Sequence, residues 1–358
     1  MLEKKGYEIQ AASNGIQGLE KAIQEKPDLI ILDVMMPDMD GYEVARQLRS
    51  SPETDKIPIL FFTAKTSIND KISGFQAGGD DYLTKPIHPA ELISRIEALL
   101  QRSARTATEE SRGQLIAFLP TKGGLGNSTF ALNTALELAK AKTDKKVVLV
   151  ELNNGSGSIA MQLGMTGKHG VQNLLKQEGI TLTREAVEAQ MIKHPSGLSI
   201  IPSTIKPAGS SPLLTDEFTR RLLRILQAEY DYVLLDLSPR LDDVQREALH
   251  TASYVIVTME PNKIALNLAE EMLDGLEEIN IGRHKIGLVI IYRAPAATAA
   301  SRKTIEEKFN QDMLGSIPPV PDQAIESWER GQPLVLTQTQ SLVAQQVRMI
   351  IDTILQTI

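Results

Sequence analysis

The sequence predicts an α/β protein built as two doubly wound, mostly parallel-sheet domains, and three observations carry that reading. Short β-branched apolar runs alternate with amphipathic helical stretches, the pattern of parallel strands joined by crossover helices. The alternation occurs in two series separated by a polar stretch. The chain has 358 residues, 42% hydrophobic and 23% charged, enough for two or three domains with their own cores.

In the first series, residues 1–101, "YEIQAAS", "DLIILDV", "IPILFFTA" and "DYLTKPI" read as strands, and a helix from Pro89 to about Gln101 closes it. "RSARTATEESRG", residues 102–113, is polar without apolar periodicity and reads as an interdomain linker. The second series occupies residues 114–358. Its strand candidates are "QLIAFLP", "KKVVLVEL", "LSIIPS", "YDYVLLDLS", "ASYVIVTME" and "KIGLVIIYR", with helices between them and one at the end.

Composition excludes several functions. The formal net charge of -7 argues against DNA as a partner, because nucleic-acid binding rests on neutralising phosphates. With no cysteine there is no disulfide, thiolate metal site or cysteine nucleophile, and the five histidines lie too far apart for a zinc cluster. "MLEKKGYEIQ" is no signal peptide, and no apolar run approaches the ~20 residues that span a bilayer. A soluble, cytoplasmic protein is expected.

Three chemistry-bearing residues stand at strand ends in the first series: Asp33 in "LIILDVMMPDMDGYE", Thr63 in "ILFFTA" and Lys85 in "DDYLTKP". Carboxyl ends of neighbouring parallel strands converge on one crevice. There Asp33 would accept a phosphoryl group while the Thr63 hydroxyl and Lys85 ammonium hold its oxygens. These residues resemble the two-component receiver domain, with its flavodoxin-like fold. The resemblance implies a histidine kinase as phosphodonor, and a further central strand followed by a paired acidic Mg²⁺ site. "LEKKGYE" resembles the end of the helix after that strand, so the natural start is expected upstream of Met1. Without such a strand, the domain would be a degenerate dimerisation or docking module.

In the second series "FLPTKGGLGNSTFALNTALELA" puts a Gly-rich turn between a strand and a helix, which aims backbone N–H groups and the positive helix end at an anion. A P-loop needs Lys after the last Gly, yet Gly126 is followed by Asn127, Ser128 and Thr129. Loss of that ammonium costs a few kcal/mol of attraction at an effective dielectric of ~20, roughly two orders of magnitude in affinity. Lys122 precedes Gly123, Gly124 and Leu125, and this "KGGLG" run resembles the deviant Walker A group, the MinD/ParA family. The resemblance implies ATP and Mg²⁺ as ligands and a homodimer in which Lys122 reaches across the nucleotide. It also implies that Ser128 and Asp236, the latter in "YDYVLLDLSPRLDD", serve the metal. Tyr292 and Arg293, with "LGSIPPVPDQAIESWERGQPLV", would lie around the adenine. Glu151 and Asn153 stand where the family has two aspartates. A neutral amide is a poor substitute for the carboxylate that orients the attacking water, so hydrolysis is expected to be weak or absent.

The order of receiver, linker and deviant Walker A domain resembles the TadZ/CpaE group of pilus assembly proteins. That resemblance implies a scaffold that localises Tad/Flp pilus machinery, dimerises with ATP, and is recruited to a pole or the inner membrane through partners. The alternatives are a working MinD/ParA-type positioning or partition ATPase, and a phosphorelay response regulator with a pseudo-ATPase output domain. The C-terminal "SLVAQQVRMIIDTILQTI" has a helical apolar stripe but only Arg348 as a base, so it is expected to pack on the sheet and not to bind membrane directly. Trp328, the lone tryptophan, reads as a packing or interface residue.

Overall fold

Two parallel sheets organise the chain, one in each of the units 1–111 and 112–358. The computed structural model describes all residues except 1, 66, 111, 155–156, 166–168, 177–181, 207–211 and 294–298.

The first unit runs α1 (Gly15–Glu25), β1 (Ile30–Leu32), α2 (Gly41–Ser50), β2 (Ile59–Thr63), α3 (Ile68–Gln76), β3 (Asp81–Thr84) and α4 (Pro89–Glu110). Its three strands pair in parallel in the order β1-β2-β3, with Ile31 opposite Leu60 and Leu60 opposite Asp81. Successive side chains of a strand point to opposite faces. Ile59 and Phe61 therefore join the core beneath α2, with Val44 and Leu48, while Leu60 joins Leu92, Ile96 and Leu99 of α4. Asp40, Ser67 and Asn14 cap α2, α3 and α1 by accepting from backbone N–H groups two to three residues into each helix.

One expectation fails here. Tyr7–Ser13, expected as a strand, has no strand structure, since a strand exists only against a neighbour that takes its N–H and C=O groups. Among the described residues β1 pairs with β2 alone. The polar run from Arg102, expected as the interdomain linker, is helical as far as Glu110. Ala, Arg and Glu propagate a helix readily once Pro89 and the apolar turns behind it have nucleated one. Ser111 of that run lies outside the described residues.

The second unit opens with β4 (Gln114–Pro120), α5 (Asn127–Ala141), β5 (Val147–Leu152), α6 (Ile159–Gln162), α7 (Arg184–Ala189), β6 (Ile192–Lys193) and β7 (Ser199–Ile201). It continues through α8 (Asp216–Glu229), β8 (Tyr232–Leu237), α9 (Asp243–Thr251), β9 (Tyr254–Met259) and α10 (Lys263–Glu278). The last elements are β10 (Ile286–Ile291), α11 (Arg302–Phe309), β11 (Met313–Ile317), α12 (Pro321–Arg330), α13 (Leu334–Thr337) and α14 (Leu342–Thr357). The eight strands lie in the order β11-β10-β9-β4-β8-β5-β7-β6, all parallel except β6 against β7.

Helices cover both faces, so the inner strands are apolar apart from a few buried polar residues near their carboxyl ends, Glu151, Asp236 and Thr258 among them. Leu115, Ala117 and Leu119 of β4 pack toward α8, α9 and α10, while Ile116 and Phe118 pack toward α5 and α14. α14 buries Val343, Val347, Ile350, Ile351 and Ile354 in that second core, and lies so close on β11 that a Cβ at Gly315 would meet Ile350 Cγ1 at 2.8 Å. Among the described residues no helix is long and apolar enough to cross a membrane. Two strands were not anticipated: β6 is two residues long, and β11 (MLGSI) alternates buried and half-buried positions at the sheet edge.

Candidate functional site

In the first unit, Asp33, Thr63 and Lys85 meet at the carboxyl end of the sheet. Lys85 Nζ donates to Asp33 Oδ2 at 2.6 Å, and the Met35 N–H donates to Asp33 Oδ1 at 3.1 Å. Thr63 is fully buried at the end of β2. Burial pushes the Asp33 carboxyl up, but hydrogen bonds from Lys85, Met35 and Thr63 and the Lys85 charge outweigh it, and the carboxyl lies below its ordinary range. Gly41 lets α2 start against this loop, because a Cβ there would overlap the Asp33 carbonyl. The result is an ionised carboxylate, one third exposed, with a half-exposed ammonium on it.

In the second unit, the loop after β4 lies where the chain's strand order reverses: α5 leads to β5 on one side of β4, and β9 flanks its other side. Ligands of open α/β sheets bind at such a crevice. Gly124 and Gly126 have φ of 75° and 87°, the left-handed region that favours glycine. α5 starts on Gly126 with no side-chain cap, so its first N–H groups remain available to a ligand. A Cβ at Gly123, Gly124 or Gly126 would meet nothing within 4 Å, so the loop faces open space. The Thr121 hydroxyl at the start of the loop is buried without a hydrogen-bond partner.

Asn127, which stands where a P-loop has its lysine, does not turn its side chain to the open face of the loop. It is 5% exposed and turned into the protein. Its Nδ2 donates to Asp236 Oδ1 at 2.7 Å and to the Phe118 carbonyl at 3.2 Å, and its Oδ1 accepts from Thr258 Oγ1 at 2.9 Å. The side chain thus ties β4, β8 and β9 together, and only its backbone N–H stays with the loop. Asp236 ends up buried, 4% exposed. Burial first, and then the charge of Glu151 opposite it on β5, push its carboxyl up to about 7, although hydrogen bonds from Ser128 and Asn127 pull the other way.

Glu151 does not stand ready for a ligand either. Its Oε1 accepts from the Ser158 and Ile159 N–H groups at 2.6 and 3.3 Å, and its Oε2 from the Ser203 N–H at 2.9 Å. It staples two loops beside the sheet, and burial pushes its carboxyl above the ordinary range. The Asn153 carbonyl accepts from Gln172 Nε2 and Ser203 Oγ, so this position is likewise built into the loop frame. Residues 155–156 of that stretch lie outside the described residues.

Lys122 Nζ donates to Glu260 Oε2 at 2.7 Å. Glu260, at the end of β9, also accepts from Asn262 Nδ2 at 2.8 Å and lies 3.9 Å from Arg293 Nη1. The charge expected to reach a second copy is therefore satisfied within this chain. Sequence reading missed Glu260; its place directly after an apolar strand, at the same sheet edge as the loop, was the available signal.

A cleft of about 280 Å³ opens from Gly124, Leu125 and Gly126. Tyr292 and Arg293 line it together with Thr129, and so does Trp328, which was expected as a packing or interface residue. The donor set suits a nucleoside phosphate with Mg²⁺: open loop amides, the Ser128 hydroxyl and the Asp236 carboxylate would hold the phosphates and cation. Among the described residues no group of three or more His, Asp or Glu could hold a metal by itself, so the phosphate oxygens would complete the coordination.

Residues 1–97 match the response regulator receiver domain, and residues 113–286 match an AAA domain. Among curated proteins, the DNA-binding dual master transcriptional regulator RpaA of Synechocystis sp. is 44% identical over 115 residues, 32% of this chain and 48% of RpaA. The alkaline phosphatase synthesis transcriptional regulatory protein PhoP of Bacillus subtilis is 46% identical over 121 residues, 32% of this chain and 50% of PhoP. The chain spans about half the length of these relatives. Among solved structures, the ParA family ATPase from Chlorobium tepidum TLS superposes with a TM-score of 0.58 at 22% identity, over 68% of this chain and 98% of that one. The septum site-determining protein MinD from Pyrococcus horikoshii OT3, complexed with Mg-ADP, gives 0.57 at 17% identity, over 68% and 96%. At these identities the likeness is one of fold.

Proposed function

We propose that this chain, which joins a response regulator receiver domain to a domain of the MinD/ParA ATPase fold, is a positioning scaffold that binds Mg-ATP as a structural ligand and turns it over weakly or not at all. ATP favours a homodimer, and phosphorylation of Asp33 by a histidine kinase is the regulatory input. The cargo is the Tad/Flp-type pilus machinery, a reading supported by the order of the domains and by the TadZ/CpaE-like sequence marks of the second domain.

The observation that carries the catalytic part is Asn127. Where a P-loop lysine would meet the β- and γ-phosphates, this chain has a neutral amide spent on Asp236, Phe118 and Thr258. The loop amides and helix end remain for binding, while the ammonium that would neutralise charge developing on the transferred phosphoryl is missing. The Glu151 carboxylate is committed to loop N–H groups and Asn153 carries no carboxylate, so among the described residues neither of these two positions supplies one to orient a water. Bound ATP would supply charge and shape to the loop; the chain's own groups bind and orient it.

The test is calorimetric titration of the purified protein with Mg-ATP, beside Asp236→Ala and a phosphate-release assay. Saturable binding that Asp236→Ala weakens, with turnover near background, is the expected result. Robust turnover, or no binding at millimolar ATP, would overturn the proposal.

A further inference from the structure

We infer that Arg293 supplies, from within the same chain, the cation that the glycine-rich loop lacks at Asn127, by turning its guanidinium onto the phosphate end of a bound nucleotide instead of standing beside the base. This rests on the nucleotide reading above and names the group that carries the charge of that site. Three parallel strands bring the parts together. β9 lies between β4 and β10, and all three end at the same edge of the sheet. β4 leads into the loop with Lys122, β9 into Glu260, and β10 into Tyr292 and Arg293. The Tyr292 N–H donates to the Ile317 carbonyl at 3.0 Å, which fixes the backbone from which the Arg293 side chain starts. Arg293 and the loop residues Gly124, Leu125 and Gly126 line one cleft.

The Glu260 carboxylate is one counter-ion shared by two cations, and it holds them unequally. Its Oε2 accepts from Lys122 Nζ at 2.7 Å, while its Oε1 lies 3.9 Å from Arg293 Nη1. The first is a charge-assisted hydrogen bond and the second is too long to be one. The Lys122 and Arg293 side chains are 34% and 61% exposed, so the more loosely held cation is also the freer to turn. An exposed ion pair of that length contributes little, and giving it up leaves the Lys122–Glu260 bond intact. The guanidinium also suits the ligand: its planar fork offers parallel N–H groups to two oxygens of one phosphate and stays charged at every working pH. With the Asn127 amide engaged by Asp236, Phe118 and Thr258, the loop itself offers phosphates only neutral N–H groups, so a cation beside it dominates the attraction. A guanidinium there adds affinity and leaves the weak turnover proposed above untouched, since it orients no water.

The experiment titrates the full chain and its Arg293→Ala and Arg293→Lys variants by calorimetry with Mg-ATP and with Mg-tripolyphosphate, which carries the phosphates without the base. Truncating an exposed side chain of this kind leaves the fold unchanged, and the Tm of each variant checks that. Arg293→Ala should weaken both ligands by the same factor, about tenfold or more, and Arg293→Lys should recover part of the loss. The loss should persist when salt is raised from about 0.1 M to about 0.5 M, because a direct contact is screened less than a remote charge. An Arg293→Ala chain that binds tripolyphosphate as wild type does while losing ATP affinity would put Arg293 at the base and overturn the inference. So would no loss for either ligand, a loss that vanishes at the higher salt, or a wild type that binds Mg-ATP but not tripolyphosphate, and each of these results leaves the nucleotide reading standing. Failure of wild type to bind either ligand would overturn both.

Discussion

Replacing Asn127 with alanine separates a structural amide from a phosphate ligand. The substitution removes the hydrogen bonds to Asp236 Oδ1 at 2.7 Å, to the Phe118 carbonyl at 3.2 Å and from Thr258 Oγ1 at 2.9 Å. Thr258 is fully buried and Asp236 nearly so, so water does not replace the missing partner. Each buried group left unsatisfied costs about 1–3 kcal/mol, so two such groups plus the weaker bond to Phe118 sum to about 3–5 kcal/mol. The better helix propensity of alanine returns about 0.5 kcal/mol. For a unit of this size the net loss lowers Tm by roughly 6–15 °C. Denaturant unfolding followed by Trp328 emission reads the second unit alone, because the single tryptophan lies there. Mg-ATP affinity of the folded variant should change little, since the lost side chain does not face the ligand. A stability loss below about 1 kcal/mol, together with collapse of Mg-ATP binding, would refute the assignment and put Asn127 on the phosphates.

Three further outcomes are expected. The Asp236 carboxyl, pushed up to about 7, keeps a proton in the folded chain that the unfolded chain releases near its ordinary value of 3.8, so its contribution to stability is lost as pH rises between those two values. Tm of the ligand-free protein should therefore fall between about pH 4 and pH 7 and level off above that in wild type, and fall less in Asp236→Asn; equal slopes would count against the assignment. Lys85→Ala removes the 2.6 Å bond to Asp33, so the Asp33 carboxyl, followed by carbon NMR, should titrate closer to the ordinary carboxylate range, and phosphoryl incorporation from a small phosphodonor should fall. Gly157→Ala drives a Cβ to 2.8 Å from the Ser203 carbonyl oxygen and onto the Glu151 carboxylate, which should cost about 1–3 kcal/mol in chemical denaturation.

Strand and helix order was legible wherever a continuous apolar run met a helical period, as in β4, α5, β8 and β9. Tyr7–Ser13 was misread because a short run that alternates apolar and polar residues looks the same whether or not a neighbouring strand exists to pair with it. The helical extension to Glu110 was missed because it carries no apolar stripe, and propensity alone is a weak signal. At the site, the residue types were readable, but the directions of their side chains were not. Sequence places Asn127 at a phosphate loop, while the contacts of Phe118 and Thr258 decide that its amide points inward. Lys122 finds its partner 138 positions away, and no local pattern encodes that meeting.

The Lys122–Glu260 pair means that the second unit carries its own counter-ion at the mouth of its binding loop. An arriving polyanion must exchange places with a tethered carboxylate instead of shedding loosely held salt. The tethered group is present at a fixed local concentration whatever the buffer, so binding that engages Lys122 should depend less on ionic strength than an open lysine would make it. The same tether also blunts capture of free sulfate, inorganic phosphate or nucleic acid by the resting protein. Only a ligand that gains additional contacts along the loop and cleft can repay the displaced carboxylate.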